Sequence, residues 1–214
     1  MRDDKAAKWR RSARHLRDEI FDAKSFRRYQ SALYWAMNRH PGLGSEDGSM
    51  MVQSIIRVYE EYKAMLIRRV SKESERAGGV SLIGLLKDLA IFPQFAAEVF
   101  PKLPPHSTIV ADLERLETAV KPINDVADKI YAHVDPRPVG PLWEAVTTRD
   151  KALDLMISLG EKYLAILDER LPSESFGGPT EHEMRELFGS PWISETDRIP
   201  DFGTEDDSSR SWLQ

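Results

Sequence analysis

The chain has 214 residues, of which 41% are hydrophobic and 30% charged, a composition typical of a helix-rich protein with one sizeable core. It contains no cysteine, which excludes disulfides, thiolate metal sites and cysteine nucleophiles. No apolar run is long enough to span a bilayer, and the charged N-terminus lacks the apolar region of a secretory signal. We therefore expect a cytoplasmic protein without a membrane partner.

The formal net charge of −5 is unevenly distributed along the chain. Residues 1–28 carry ten Lys and Arg against five Asp and Glu, a local charge of +5. Residues 173–214 carry ten acidic against three basic residues, a local charge of −7. The pattern predicts a helical domain over residues 1–172 and an acidic, mostly irregular tail over 173–214. The basic arm is either a solvated helix face or a contact for nucleic acid.

Apolar residues at steps of three and four predict long helices over about residues 3–39, 49–72, 107–134 and 147–171. Shorter helices are expected over 82–90, capped by Ser81, and over 181–188, capped by Thr180 with Glu183. The apolar face expected for the first helix includes Trp9, Leu16, Ile20, Phe26, Tyr29 and Leu33. The second is expected to bury Val52, Ile55, Tyr59, Tyr62, Leu66 and Val70. No strand pattern is present, so we predict an all-α bundle of four to five main helices plus short helices.

The predicted central helix carries the residues that packing does not explain. Its apolar stripe recurs at steps of four and three, at Ile109, Leu113, Leu116, Val120, Ile123, Ala127, Ile130 and Val134. Lys129 and His133 are four residues apart, so they share a face at the edge of that stripe. A histidine and a cation side by side can hold a phosphodiester and move a proton. The structural alternative is a helix-end histidine bonded to a backbone carbonyl. Pro122 is expected to kink this helix or to start a second segment.

The segment Ala127–Asp135, AlaAspLysIleTyrAlaHisValAsp, resembles the motif of the HEPN superfamily (higher eukaryotes and prokaryotes nucleotide-binding). More narrowly, it is similar to the branch associated with abortive infection, whose motif begins with an arginine. The residues that match that branch are Asp128, Lys129, Ala132, His133 and Asp135. Ala127 stands where the family has arginine. Residues 66–71 and 81–89 also resemble this branch, and the whole resemblance covers roughly residues 30 to 170.

The resemblance implies an up-and-down helical bundle and, in active members, a metal-independent endoribonuclease. Two protomers then share one composite cleft. The catalytic residues would be His133, which handles the proton, Lys129, a point charge, and Asp128, which orients one of them. Substrate binding would involve Asn124 and an arginine of the second helix, Arg68 or Arg69, in place of the arginine absent at position 127.

Three functional alternatives stay open at this point. The chain is a HEPN-type ribonuclease of a phage-defence or toxin–antitoxin system, a non-catalytic dimeric binding or scaffolding module, or a nuclease whose cleft or basic arm is covered by the acidic tail. The partners expected are a second copy of the chain, RNA, and a protein such as an antitoxin. No cofactor is expected, and the five histidines show no metal-ligand spacing.

Overall fold

The computed structural model describes residues 2–39, 46–72, 80–128, 146–167, 179–188 and 198–199. Seven helices occur in these ranges, and no strand does. Their bounds are α1 (Arg2–Arg39), α2 (Glu46–Ser71), α3 (Leu82–Ile91), α4 (Pro93–Val99), α5 (His106–Ala127), α6 (Val146–Ile166) and α7 (Glu181–Phe188). The predicted all-α bundle is thereby confirmed. None of the described helices is long and apolar enough to cross a membrane.

The chain divides into two compact units. The first comprises Met1–Ala23 and Glu60–Leu171, and the second Lys24–Tyr59 and Pro172–Gln214. Helices α1 and α2 contribute residues to both. The predicted division into a domain 1–172 and a tail 173–214 stays a prediction.

The core of the first unit is built from the apolar stripes that the sequence predicts. On α5 the buried members are Ile109, Leu116, Val120, Ile123 and Ala127. On α6 they include Leu153, Ile157, Leu164 and Leu167. At Gly160 of α6 an added Cβ would lie 2.5 Å from Cδ1 of Ile20. Because the Ile20 side chain fills that space, any larger residue at position 160 would require it to shift.

An aromatic cluster packs the start of α1 against α4 in this unit. The Trp9 ring lies 5.5 Å from that of Phe95 and 6.1 Å from that of Phe100, measured between ring centroids. Trp9 is almost wholly buried. Large aromatic side chains contribute much of the buried apolar area of a core, so this cluster ties the N-terminal helix to the bundle.

The second unit has a smaller core. Ala32, Trp35 and Ala36 of α1 form a buried cluster with Met184 and Ile199. Leu33 and Met37 pack against Ile55 and Ile56 of α2. Phe26 stacks on Tyr59 with ring centroids 5.6 Å apart.

Two predicted caps are confirmed. The Ser81 hydroxyl accepts a hydrogen bond from the backbone N–H of Gly84 at 2.9 Å. Before α7, the Thr180 hydroxyl accepts from the N–H of Glu183, whose carboxylate accepts the N–H of Thr180. This is the reciprocal bonding of a capping box.

Pro122 does not start a second segment, since α5 runs through it without interruption to Ala127. Proline leaves the carbonyl four residues earlier without its helical donor. That carbonyl belongs to Thr118, which is exposed, so water can donate in place of the missing N–H.

The sequence prediction is wrong at two tyrosines. Tyr29 and Tyr62, assigned to the apolar faces of α1 and α2, are 42% and 47% exposed. The buried positions next to them are polar, Gln30 and Lys63, and both are fully inaccessible to solvent. Hydropathy predicts burial of the tyrosine in each pair of neighbours. The neighbouring polar residue is buried instead, because it lies on the helix face that contacts the core.

Lys63 is buried because two carboxylates surround it. Its ammonium donates to Oε1 of Glu60 at 2.6 Å and to the carboxylate of Asp150 on α6. Glu60 Oε2 in turn accepts from Nη1 of Arg149 at 3.4 Å. The four side chains carry two positive and two negative charges and join α2 to α6. Since a buried charge is tolerated only when it is paired, each member depends on the others.

We expect Lys63→Met to lower the free energy of unfolding by about 3–5 kcal/mol, because it leaves Glu60 and Asp150 without their shared cation. The matched control is Lys121→Met, which removes an exposed lysine that pairs with Asp125 on α5. An exposed pair of this kind contributes about 0.3–0.5 kcal/mol. Urea unfolding of both variants measures the difference. Equal losses would show that the Lys63 network does not stabilise the fold.

Candidate functional site

Four of the six predicted site residues lie in the described part of the chain: Arg68, Arg69, Asn124 and Asp128. Lys129 and His133 lie outside the described residues. Of the four, the structure brings three together where the end of α2 meets the end of α5, and it directs Arg69 elsewhere.

Arg68 of α2 contacts Asp128, the residue that follows the end of α5. Its Nε donates to Oδ1 of Asp128 at 2.5 Å, and Lys72 donates to Oδ2 of the same carboxylate. We call Arg68, Lys72 and Asp128 the Asp128 cluster; its net charge is +1. The three side chains are 32%, 44% and 29% exposed, so the cluster is open to solvent. A guanidinium has five donors, so the bond from Nε leaves Arg68 the capacity to bind a further anion.

Asn124 lies one helical turn before Asp128 and anchors the same junction. Its Nδ2 donates to the Ser71 hydroxyl at 3.0 Å, and that hydroxyl lies 3.4 Å from the Asn124 Oδ1. Ser71, the last residue of α2, is fully buried. The bond therefore fixes the end of α2 against α5, next to the Asp128 cluster.

Arg69 is turned away from this cluster. Its Nε lies 2.5 Å from Glu19 Oε2 and its Nη2 lies 3.8 Å from Asp22 Oδ2, both on α1. Adjacent helical residues point about 100° apart, so only one of the two arginines can face α5. The sequence left the choice between Arg68 and Arg69 open, and the arginine beside Asp128 is Arg68.

Ala127, where the motif that this segment resembles has an arginine, is completely buried on the α5 stripe. A long side chain introduced there would have to displace packed neighbours, and overpacking costs about 1–3 kcal/mol or more. Position 127 is therefore part of the core, and among the described residues the guanidinium beside Asp128 is that of Arg68 on α2.

The charge state of Asp128 follows from its two cations. Partial burial by itself would raise the pKa of this carboxyl group, but hydrogen bonds from Lys72 and Arg68 and the charges of both outweigh it. The pKa of Asp128 is therefore lower than its ordinary value of 3.8. At neutral pH the carboxylate is ionised and holds both cations in place.

Two residues of this junction were not predicted, Lys72 and Ser71. Lys72 follows Arg68 by four residues, a spacing that puts both cations on one helix face and could have identified the pair. Ser71 has no such signal, because its partner Asn124 is 53 residues away in sequence. In the described ranges, no group of three His, Asp or Glu side chains is arranged to hold a metal ion.

Comparison with known proteins adds no relative to these observations: family models, curated proteins and solved structures give no match.

We expect Asp128→Asn to lower the free energy of unfolding by about 1 kcal/mol at neutral pH, the upper end for partly exposed ion pairs. A lowered folded-state pKa stabilises the protein above the unfolded pKa and loses that contribution as pH falls through the folded value. The difference between wild type and variant should therefore shrink as pH decreases from about 5. Asp125→Asn, which removes the exposed partner of Lys121, is the control and should change stability less. Urea unfolding as a function of pH checks both, and a difference that persists in acid would contradict the assignment.

Proposed function

We propose that the protein is a HEPN-type, metal-independent ribonuclease in which Arg68 supplies the guanidinium that the motif lacks at position 127. The observation that carries this proposal is the 2.5 Å contact between Arg68 Nε and Asp128. It brings an arginine to the segment whose sequence resembles the family motif. Phage defence or a toxin–antitoxin system is the setting that the resemblance suggests.

In the proposed reaction, Arg68 and Lys72 bind the non-bridging oxygens of an RNA phosphodiester. Asp128 holds both side chains before RNA arrives. His133 takes the proton of the ribose 2′-hydroxyl, whose oxygen attacks phosphorus. The bond from phosphorus to the 5′ oxygen breaks, and that oxygen receives a proton from the His133 of a second protomer. The products are a 2′,3′-cyclic phosphate and a 5′-hydroxyl, and the balance requires neither water nor metal. Lys129 adds positive charge near the phosphate.

We expect Arg68→Ala to reduce cleavage of a fluorescent RNA by about 10²–10³-fold, the effect of removing one group that stabilises transition-state charge. His133→Ala should reduce it by about 10²–10⁴-fold, since it removes the general acid–base group. Cleavage should persist in EDTA and leave a cyclic phosphate.

Arg69→Ala is the matched control, because it removes the same side chain from the next position, where it pairs with Glu19 and not with Asp128. It should cleave like the wild type. Full activity of both Arg68→Ala and His133→Ala would overturn the proposal, and so would complete inhibition by EDTA.

A second function, a non-catalytic binding module, is favoured by a separate observation. Ala127 is fully buried on the α5 stripe, so the position where the resembled motif has arginine is used for packing. Packing alone therefore explains the residue at this position, without a catalytic role. RNA binding at low salt without cleavage by the wild-type protein would support this function over the first.

Both functions include a homodimer that contains the 124–135 segment at its interface. Light scattering at micromolar concentration should return twice the chain mass of 24.4 kDa, about 49 kDa. A clean monomer over a wide concentration range would remove the composite cleft and, with it, the second histidine that the reaction requires.

A further inference from the structure

Helix α7 is held on α1 by a buried methionine. Of the α7 side chains that the structure describes, Met184 is the buried one, and it is completely inaccessible to solvent. It packs with Ala32, Trp35 and Ala36 of α1 and with Ile199. All five residues belong to the second unit, so the contact between the two helices lies within one compact unit.

The α1 side of this contact combines small and large side chains on one helix face. Ala32, Trp35 and Ala36 are three and four residues apart, so they share a face of α1. The two alanines, one turn apart, leave room beside the larger Trp35 side chain for Met184 to insert. Methionine is unbranched and flexible, which suits it to an irregular gap. We call Ala32, Trp35 and Ala36 the Trp35 groove, and α7 occupies it in the way that an amphipathic helix occupies a recognition groove.

Local bonds favour the helical form of α7. Thr180 and Glu183 form the capping box at its start, and Arg185 pairs with Glu181 at 2.7 Å. These bonds join residues at most four positions apart, so they do not require contact with α1. They are not enough by themselves, because an isolated helix shorter than about 12–15 residues is marginal in water and α7 has eight. The helix therefore depends on its contact with the Trp35 groove.

This contact is small for the length of chain that it orders. Among the described residues from 179 onward, the buried apolar side chains are Pro179, Met184 and Ile199. Ordering each residue of α7 costs backbone entropy, which this burial must offset. Elements with few buried apolar contacts open locally at a lower free energy than the core of a protein does. We expect α7 to be such an element.

We propose that α7 is a displaceable helix: it covers the Trp35 groove of its own chain, and an amphipathic helix of a partner protein binds that groove in its place. The contact made by α7 indicates which ligand fits, a short helix with a flexible apolar side chain directed at the two alanines. Displaced α7 loses the contact on which its helix depends, so the exchange is an order–disorder transition of that segment. The proposal does not rest on the proposed nuclease, because Asp128 belongs to the first unit and binding to the groove needs no RNA.

The first test vacates the groove in the full-length protein by Met184→Glu. A carboxylate would be buried there among apolar side chains, so α7 should leave the groove. Glutamate is a good helix former, so the change does not act through helix propensity. Hydrogen exchange should show that the α7 amides lose their protection while the α1 amides at 32–36 keep theirs. The matched control is His182→Glu, which introduces the same side chain at a position that is 81% exposed and should leave α7 protected.

The second test supplies the helix from outside. A fluorescent synthetic peptide of residues 179–199 is titrated with each protein, and binding is measured by anisotropy. The Met184→Glu protein should bind the peptide. The wild type should bind it about tenfold or more weakly, because only the open fraction of its grooves is vacant. A control peptide that carries Met184→Glu should bind neither protein.

Each of four outcomes would overturn the proposal. Protection of α7 that persists in the Met184→Glu protein would show that Met184 does not hold the helix. Loss of protection at residues 32–36 together with α7 would show that α7 is an integral part of the core. A peptide that fails to bind the Met184→Glu protein would show that the groove accepts no helix from outside. A wild-type dimer that becomes monomeric in Met184→Glu would show that the groove takes the α7 of a second copy and not a partner protein.

Discussion

The buried ammonium of Lys63 is the constraint on which the first unit depends. It brings a charge into the core of the bundle, and the carboxylates of Glu60 and Asp150 make that burial tolerable. Apolar stripes can slide by a turn and still bury similar area. A paired charge has one register, because a shifted helix would leave an ammonium or a carboxylate unpaired. The network therefore specifies how α2 meets α6 more narrowly than hydrophobic burial could.

That register has a direct consequence for the candidate site. Arg68 follows Lys63 by five residues on the same helix, so fixing Lys63 also fixes the direction in which Arg68 points. The buried Ser71 and its bond to Asn124 hold the end of α2 against α5. Arg68 and Lys72 then meet Asp128, while Arg69 meets α1. The two adjacent arginines thus have different partners because of helix geometry.

The contacts of the Asp128 cluster favour catalysis in one respect and oppose it in another. Arg68 brings a guanidinium next to Asp128, as the proposed nuclease requires. The carboxylate that holds this arginine also neutralises it, and a phosphate would have to compete with Asp128 for the guanidinium. The net charge of +1 and the unused donors of Arg68 favour such a competition at low salt, where phosphate contacts are strongest.

The sequence by itself determined the all-α class, the bounds of most helices to within a few residues, two helix caps and the buried stripes of α5 and α6. These features depend on local spacing, which a single chain displays directly. It did not determine that Lys63 is buried and Tyr62 exposed, nor that Arg68 and not Arg69 faces Asp128. Those choices depend on partners 87 and 60 residues away, Asp150 and Asp128. A charged side chain is buried only where an opposite charge lies next to it. The tertiary structure decides which residues distant in sequence are placed together in this way.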